Sequence, residues 1–131
     1  MDEVENKRVL IVDDDPMIRH ILQTILEEEG YSVQLAENGA DGVDVLHKDG
    51  IAEPFRFMVL DMMMPKMTGI EVLAALRDQP AFEKLPIIML TAESKPTDIL
   101  TGYSAGASYY MTKPFTREQL LRGIELVLTE S

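Results

Sequence analysis

Apolar residues along this chain fall into two alternating patterns. Short uninterrupted runs, such as Val9-Leu10-Ile11-Val12 and Ile87-Ile88-Met89-Leu90, separate longer stretches in which apolar positions recur every three or four residues. An uninterrupted run suits an inner strand of a parallel sheet, where helices cover both faces and neither row of side chains meets water. Strands are therefore expected at Arg8–Asp13, Tyr31–Ala36, Phe55–Asp61, Pro86–Thr91 and Ser108–Met111. Between them, Ile18, Ile21, Leu22, Ile25 and Leu26 form a one-face helical stripe, and Leu120, Leu121, Ile124, Val127 and Leu128 repeat it near the C-terminus. The middle helices carry weaker stripes: Val43 and Leu46, then Val72, Leu73 and Leu76, then Ile99, Leu100 and Tyr103.

Local punctuation agrees with these boundaries. Asp15-Pro16 reads as an N-cap followed by proline in the first helical turn. Gly30 should end the first helix, Asn38-Gly39 open the second and Pro80 close the third. Strict alternation of strand and helix implies a right-handed, doubly wound parallel sheet, a three-layer α/β fold. In such sheets ligands bind beyond the carboxyl ends of the strands.

Length and composition narrow the function. A chain of 131 residues accommodates one domain, expected to span 1–131 with its core at about 8–129. Hydrophobic residues make up 46% and charged residues 27%, a globular balance. No apolar run approaches the roughly 20 residues of a membrane span, and MDEVENKR lacks the regions of a signal peptide. A cytoplasmic location without membrane association is the default expectation. The absence of cysteine excludes disulfides, thiolate metal sites and thiol catalysis. A net charge of −11 argues against direct contact with nucleic acid, whose phosphates are bound by clustered Lys and Arg. Simple solubility explains that charge as well as any acidic pocket does.

The expected strand ends gather the chemistry. Strand one ends in Asp13-Asp14-Asp15, strand three in Asp61 and strand four in Thr91, while strand five leads into Lys113-Pro114. Like charges about 4 Å apart repel by roughly 4 kcal/mol at an effective dielectric near 20, so clustered carboxylates must protonate, separate or hold a cation. Hard oxygen donors without His or Cys suit Mg²⁺, with Mn²⁺ as a substitute. Asp61 then has the character of a carboxylate nucleophile toward phosphorus, with Lys113 and the Thr91 hydroxyl placed to meet phosphoryl oxygens. Taken singly, each residue has a plainer reading: Asp15 as a helix cap, Thr91 as turn chemistry, Lys113 as a surface lysine. Only the constellation points to a site.

These residues, in this order, resemble the receiver domains of bacterial response regulators. The resemblance runs from Val9 to about Leu128. It is carried by Leu10-Ile11-Val12-Asp13-Asp14, Val59-Leu60-Asp61-Met62-Met63-Met64-Pro65, Met67-Thr68-Gly69, Leu90-Thr91-Ala92 and Lys113-Pro114-Phe115. It implies a flavodoxin-like sheet in the order 2-1-3-4-5, and a signalling phosphoacceptor, not an enzyme. Asp61 would accept the phosphoryl group. Asp13 and Asp14 would bind Mg²⁺, Asp14 directly and Asp13 through water, and Met63 would offer its backbone carbonyl. Lys113 would pair with the phosphoryl group, and the bond to Pro114 would be cis.

The resemblance also implies a switch made of Thr91 and Tyr110, which links the site to the face formed by the fourth helix, fifth strand and fifth helix. Strand alternation puts Tyr109 and Tyr110 on opposite faces, and spacing from Lys113 favours Tyr110. The implied partners are a sensor histidine kinase or histidine phosphotransfer protein, docking near helix one, and a downstream protein target. The same scheme admits a phosphorylation-dependent homodimer. Met63 and Glu93 take the positions that tune dephosphorylation. Met63 cannot orient water by hydrogen bonding, so slow to moderate self-dephosphorylation is expected.

Two other functional readings compete, and a third concerns context, in which the same receiver belongs to a longer regulator or hybrid kinase with an output attached. Asp13 and Asp15 have the Asp-x-Asp spacing of haloacid-dehalogenase-type phosphatases, although Met17 stands where that family usually has Thr or Val. A surface-acting binding module without phosphorylation is the other. His20 and His47 lack companion ligands and read as surface residues, while Met58, Met89 and Met111 read as core.

Overall fold

The structure, a computed structural model, describes residues 6–92 and 106–129. Five strands, β1 (Arg8–Val12), β2 (Ser32–Ala36), β3 (Phe57–Asp61), β4 (Ile87–Thr91) and β5 (Tyr109–Thr112), form one parallel sheet in the order β2-β1-β3-β4-β5. Four helices are described: α1 (Pro16–Glu28), α2 (Gly39–Asp49), α3 (Gly69–Arg77) and the C-terminal α4 (Arg117–Thr129). The expected helical stretch at Ile99, Leu100 and Tyr103 lies outside the described residues.

Alternation along the strands divides the core into two layers. Leu10, Val12, Met58, Leu60 and Met89 point one way, against Leu46 of α2 and Val72, Leu73 and Leu76 of α3. Val9, Ile11, Phe57, Val59, Ile88 and Leu90 point the other way, against Leu22 and Leu26 of α1 and Leu120, Ile124 and Val127 of α4. Each large side chain buried in this way contributes about 1.5–3 kcal/mol. The uninterrupted apolar runs are thus explained, because both faces of β1, β3 and β4 are covered.

Helix ends follow the local chemistry of the sequence. The Asp15 side chain accepts the Met17 N–H at 2.9 Å, and Pro16 opens α1 without a donor to satisfy. Asn38 caps α2 by accepting the Asp41 N–H, and Thr68 and Glu71 form a reciprocal capping box on α3. Gly30 follows the α1 cap with a φ of 92°, a conformation that glycine adopts without a Cβ clash. Pro80 lies just beyond α3, which ends at Arg77.

Boundaries shift where a tertiary contact outweighs the local run. Tyr31 is outside β2 because its N–H closes the end of α1 on the Leu26 carbonyl. Phe55 is buried but precedes β3, with the Arg8 guanidinium 4.2 Å from its ring. Strand β5 runs one residue further than expected, since Thr112 stands beside Thr91 in the register. No helix among the described residues is long and apolar enough to cross a membrane.

Candidate functional site

The carboxyl ends of β1, β3, β4 and β5 bring one group of polar residues together. Asp13 follows β1 directly and Asp61 ends β3, and both are buried, while Asp14 is exposed. Carboxylate oxygens of these three residues lie within 4.8 Å of one another. Asp15 is outside this group: its side chain is committed to capping α1. That placement counts against the Asp-x-Asp phosphatase reading, which needs Asp13 and Asp15 together.

The two oxygens of Asp13 have different surroundings. Its Oδ1 accepts the Asp15 N–H at 2.9 Å, which fixes the carboxylate plane. Its Oδ2 is buried without an aligned hydrogen bond. The Lys113 Nζ is nevertheless 3.0 Å from that oxygen and 3.6 Å from Asp61 Oδ1, so the ammonium acts as a nearby charge shared by both acids. Asp61 Oδ1 also accepts the Met63 N–H at 3.3 Å.

Burial, followed by the adjacent Asp13 carboxylate, pushes the Asp61 carboxyl up from 3.8 to about 7. A hydrogen bond with Asp14 acts in the same direction. Lys113 and the Met63 N–H oppose the shift without cancelling it. One ammonium set against three clustered carboxylates leaves a deficit of positive charge. The donor set is wholly hard oxygen, and a buried Asp13 oxygen still lacks a hydrogen bond. These features fit a small divalent cation such as Mg²⁺.

Backbone geometry holds this arrangement in place. A Cβ at Gly69 would come within 2.5 Å of the Asp61 carbonyl oxygen and 2.8 Å of Met62 Cα. Only glycine lets the start of α3 approach the end of β3 so closely, and the Gly69 N–H donates to the Met62 carbonyl at 2.8 Å. Thr91 is fully buried at the end of β4, and its carbonyl accepts the Lys113 N–H at 2.6 Å. The Lys113–Pro114 bond is cis.

The tyrosine pair occupies the two faces expected of it. Tyr109 packs into the layer of α1 and α4, and Tyr110 into that of α2 and α3. The Tyr110 hydroxyl donates to Met62 Sδ at 3.3 Å, so this ring reaches the segment that follows Asp61. The Met63 side chain is 58% exposed beside the site, and Glu93 lies outside the described residues. His20 and His47 are exposed, and His47 Nε2 lies 2.7 Å from Gln79 Oε1. Met58, Met89 and Met111 are buried in the core.

Sequence reasoning assigned no role to Arg19, yet its side chain is only 14% exposed and its Nη1 donates to the Asp13 carbonyl at 2.6 Å. The available signal was electrostatic. An arginine so near a helix N-terminus opposes the helix dipole and needs a compensating partner, here supplied by the acidic loop before α1.

Residues 9–125 match the family model for the response regulator receiver domain. The transcriptional regulatory protein ResD of Bacillus subtilis (strain 168) is 38% identical over 123 residues, covering 93% of this chain and 48% of that protein. The response regulator MprA of Mycobacterium tuberculosis (strain ATCC 25177 / H37Ra) is 40% identical over 121 residues, with 92% and 50% covered. The chain thus spans about half the length of these curated relatives. Among solved structures, the chemotaxis protein CheY4 of Vibrio cholerae superposes with a TM-score of 0.87 at 35% identity, covering 95% of this chain and all of that one. A parallel sheet in flavodoxin-like order, an acid cluster at its carboxyl edge and a family match along most of its length lead to one assignment: the chain belongs to the response regulator receiver domains of two-component signalling.

Proposed function

We propose that Asp61 is the phosphoacceptor of this receiver and that the whole chain, 1–131, acts as a single signalling module. The observation that carries this reading is the buried Asp61 carboxylate, set against Asp13 and Asp14 with the Lys113 ammonium 3.6 Å away. Asp13, Asp14, Asp61 and the Met63 backbone carbonyl would hold Mg²⁺, or Mn²⁺ in its place. Once bound, the cation supplies charge neutralisation for phosphoryl oxygens and keeps Asp61 ionised.

The remaining steps belong to the chain's own residues. A carboxylate oxygen of Asp61 attacks phosphorus and forms an O–P bond, while the P–N bond of a phosphohistidine donor breaks and the freed imidazole takes up a proton. Lys113 leaves Asp13 to meet a phosphoryl oxygen, and the Thr91 hydroxyl donates to another. Positioning and charge account for most of such a transfer, because the donor phosphoryl group is already activated.

Movement of Thr91 toward the phosphoryl group makes room on the Tyr110 side. The Tyr110 ring then carries the change to the face of β5 and α4 as a shift between two packings. The donor is a sensor histidine kinase or histidine phosphotransfer protein that docks near α1, and the output is a protein contact or a homodimer on the far face. A cytoplasmic setting goes with this role.

Intact-protein mass after incubation with acetyl phosphate or phosphoramidate tests the reading directly. One phosphoryl adduct is expected on the wild type with Mg²⁺, and none on Asp61→Asn or without a divalent cation. A wild type that stays unmodified under rapid sampling would instead favour a binding module that works without phosphorylation.

A further inference from the structure

At the opposite edge of the sheet, where the strands begin, the fold leaves an open cavity of about 310 Å³. It lies between the segments entering β3 and β4, and its lining includes the largely buried Phe55, Phe82 and Leu46 together with the half-buried Leu85. Arg56 and Lys84 also line it. This volume falls at the lower end of the range for small-molecule sites, large enough for one aromatic ring and a short polar arm.

Its charge runs against the rest of the molecule. The chain has 23 acidic and 12 basic residues, yet among the described residues no Asp or Glu lines this cavity. Among the described residues, the wall carries two cations and no carboxylate, a local reversal of sign in a strongly negative protein. Neither Arg56 nor Lys84 has an ion-pair partner among the described residues. Arg8, the other nearby cation, is already used: it stacks on Phe55 and donates to the carbonyls of Asp49 and Glu53. Arg56 is only partly exposed, which strengthens its field at the cavity.

We propose that this cavity binds a small amphipathic carboxylate, with the apolar body between Phe55, Phe82 and Leu85 and the carboxylate on Arg56 and Lys84. Such a site is separate from the phosphoacceptor pocket, since the two lie at opposite ends of the same strands. The proposal therefore stands independently of the phosphorylation chemistry. An apolar wall alone would accept any hydrophobe of suitable size. The two cations in the lining add a preference for an anion, because a guanidinium offers a planar fork to a carboxylate.

Titration of the ¹⁵N-labelled chain with 3-phenylpropionate, followed by amide chemical shifts, tests the proposal. A neutral amide of the same shape, 3-phenylpropanamide, serves as the matched control. Saturable shifts at Phe55, Phe82 and Leu85 are expected with the acid, with a Kd of about a millimolar or tighter for a ligand of this size. The amide should bind at least about tenfold more weakly, and the R56Q/K84Q variant should weaken the acid to the level of the amide. Unsaturable shifts, equal binding of acid and amide, or shifts confined to the Asp61 edge would overturn the proposal. A wild-type circular dichroism spectrum and melting temperature for R56Q/K84Q check that the variant is folded. The acid-versus-amide comparison on the wild type needs no variant at all.

Discussion

Replacing Asp61 by asparagine should make the metal-free protein more stable, by an amount that depends on pH. In the native state the Asp61 carboxyl is raised from 3.8 to about 7, so the folded protein binds this proton more tightly than the unfolded chain does. The stabilising contribution of that proton is complete below about pH 4 and is lost as pH rises through about 7. A shift of this size corresponds to roughly 4 kcal/mol of native-state free energy above pH 7, at about 1.4 kcal/mol per unit. Asparagine has nearly the same shape without the charge, but an imperfectly paired buried amide returns about 1–2 kcal/mol of that gain. The net stabilisation is then about 2–3 kcal/mol.

With an unfolding entropy of about 2.1 cal/mol/K per residue over 131 residues, each kcal/mol moves Tm by about 4 °C. Asp61→Asn should therefore melt about 8–12 °C above wild type near pH 8 in chelator. Thermal melts followed by circular dichroism over a pH series provide the assay. The gap should begin to narrow as pH falls below about 7 and keep narrowing toward about pH 4, and it should also narrow when Mg²⁺ is added, because a bound cation neutralises the same charge. A gap that stays constant from about pH 5 to 8, or a mutant less stable than wild type near pH 8, would mean that the buried Asp61 charge does not destabilise the fold.

Other changes probe the parts that hold the site. Lys113→Ala leaves Asp13 and Asp61 buried without their counterion, so it should cost about 3–5 kcal/mol in chelator, with partial recovery in Mg²⁺, measured by urea denaturation. Gly69→Ala places a Cβ 2.5 Å from the Asp61 carbonyl oxygen, and about 1–3 kcal/mol of destabilisation together with slower acetyl phosphate labelling is expected. Thr68→Ala removes one arm of the α3 capping box and should cost about 1 kcal/mol while labelling continues. Self-dephosphorylation should be slow to moderate, since the exposed Met63 thioether cannot orient water. A half-life of seconds in a phosphate-release assay would contradict this.

Much of the fold was legible because its strands are covered on both faces. Val9–Val12 and Ile87–Leu90 need no alternation, and an uninterrupted apolar run is the direct result. Boundaries were less legible where they depend on partners distant in sequence. Phe55 reads as strand in isolation, but its place is set by Arg8, and Tyr31 is captured by the end of α1. At the site, the residue types at the strand ends could be named from sequence, but not their individual environments. Asp13 and Asp14 are neighbours of one kind, yet Asp13 is buried against Lys113 and Asp14 is exposed. That difference depends on the direction the chain takes as it leaves β1, which Arg19 helps to set through the Asp13 carbonyl. The basic cavity was invisible for a similar reason. Its lining comes from several segments that are brought together only by the fold.

Lys113 serves two acids at once. Its ammonium is divided between Asp13 at 3.0 Å and Asp61 at 3.6 Å, so the two carboxylates compete for a single counterion. Charge gained at one is support withdrawn from the other, and the pair responds to protons, cations or a phosphoryl group as one electrostatic object. Substitutions at Asp13 and Asp61 should then fail to add in a double-mutant cycle. The function of this edge of the sheet belongs to the shared ammonium and its two claimants together, and cannot be apportioned one side chain at a time.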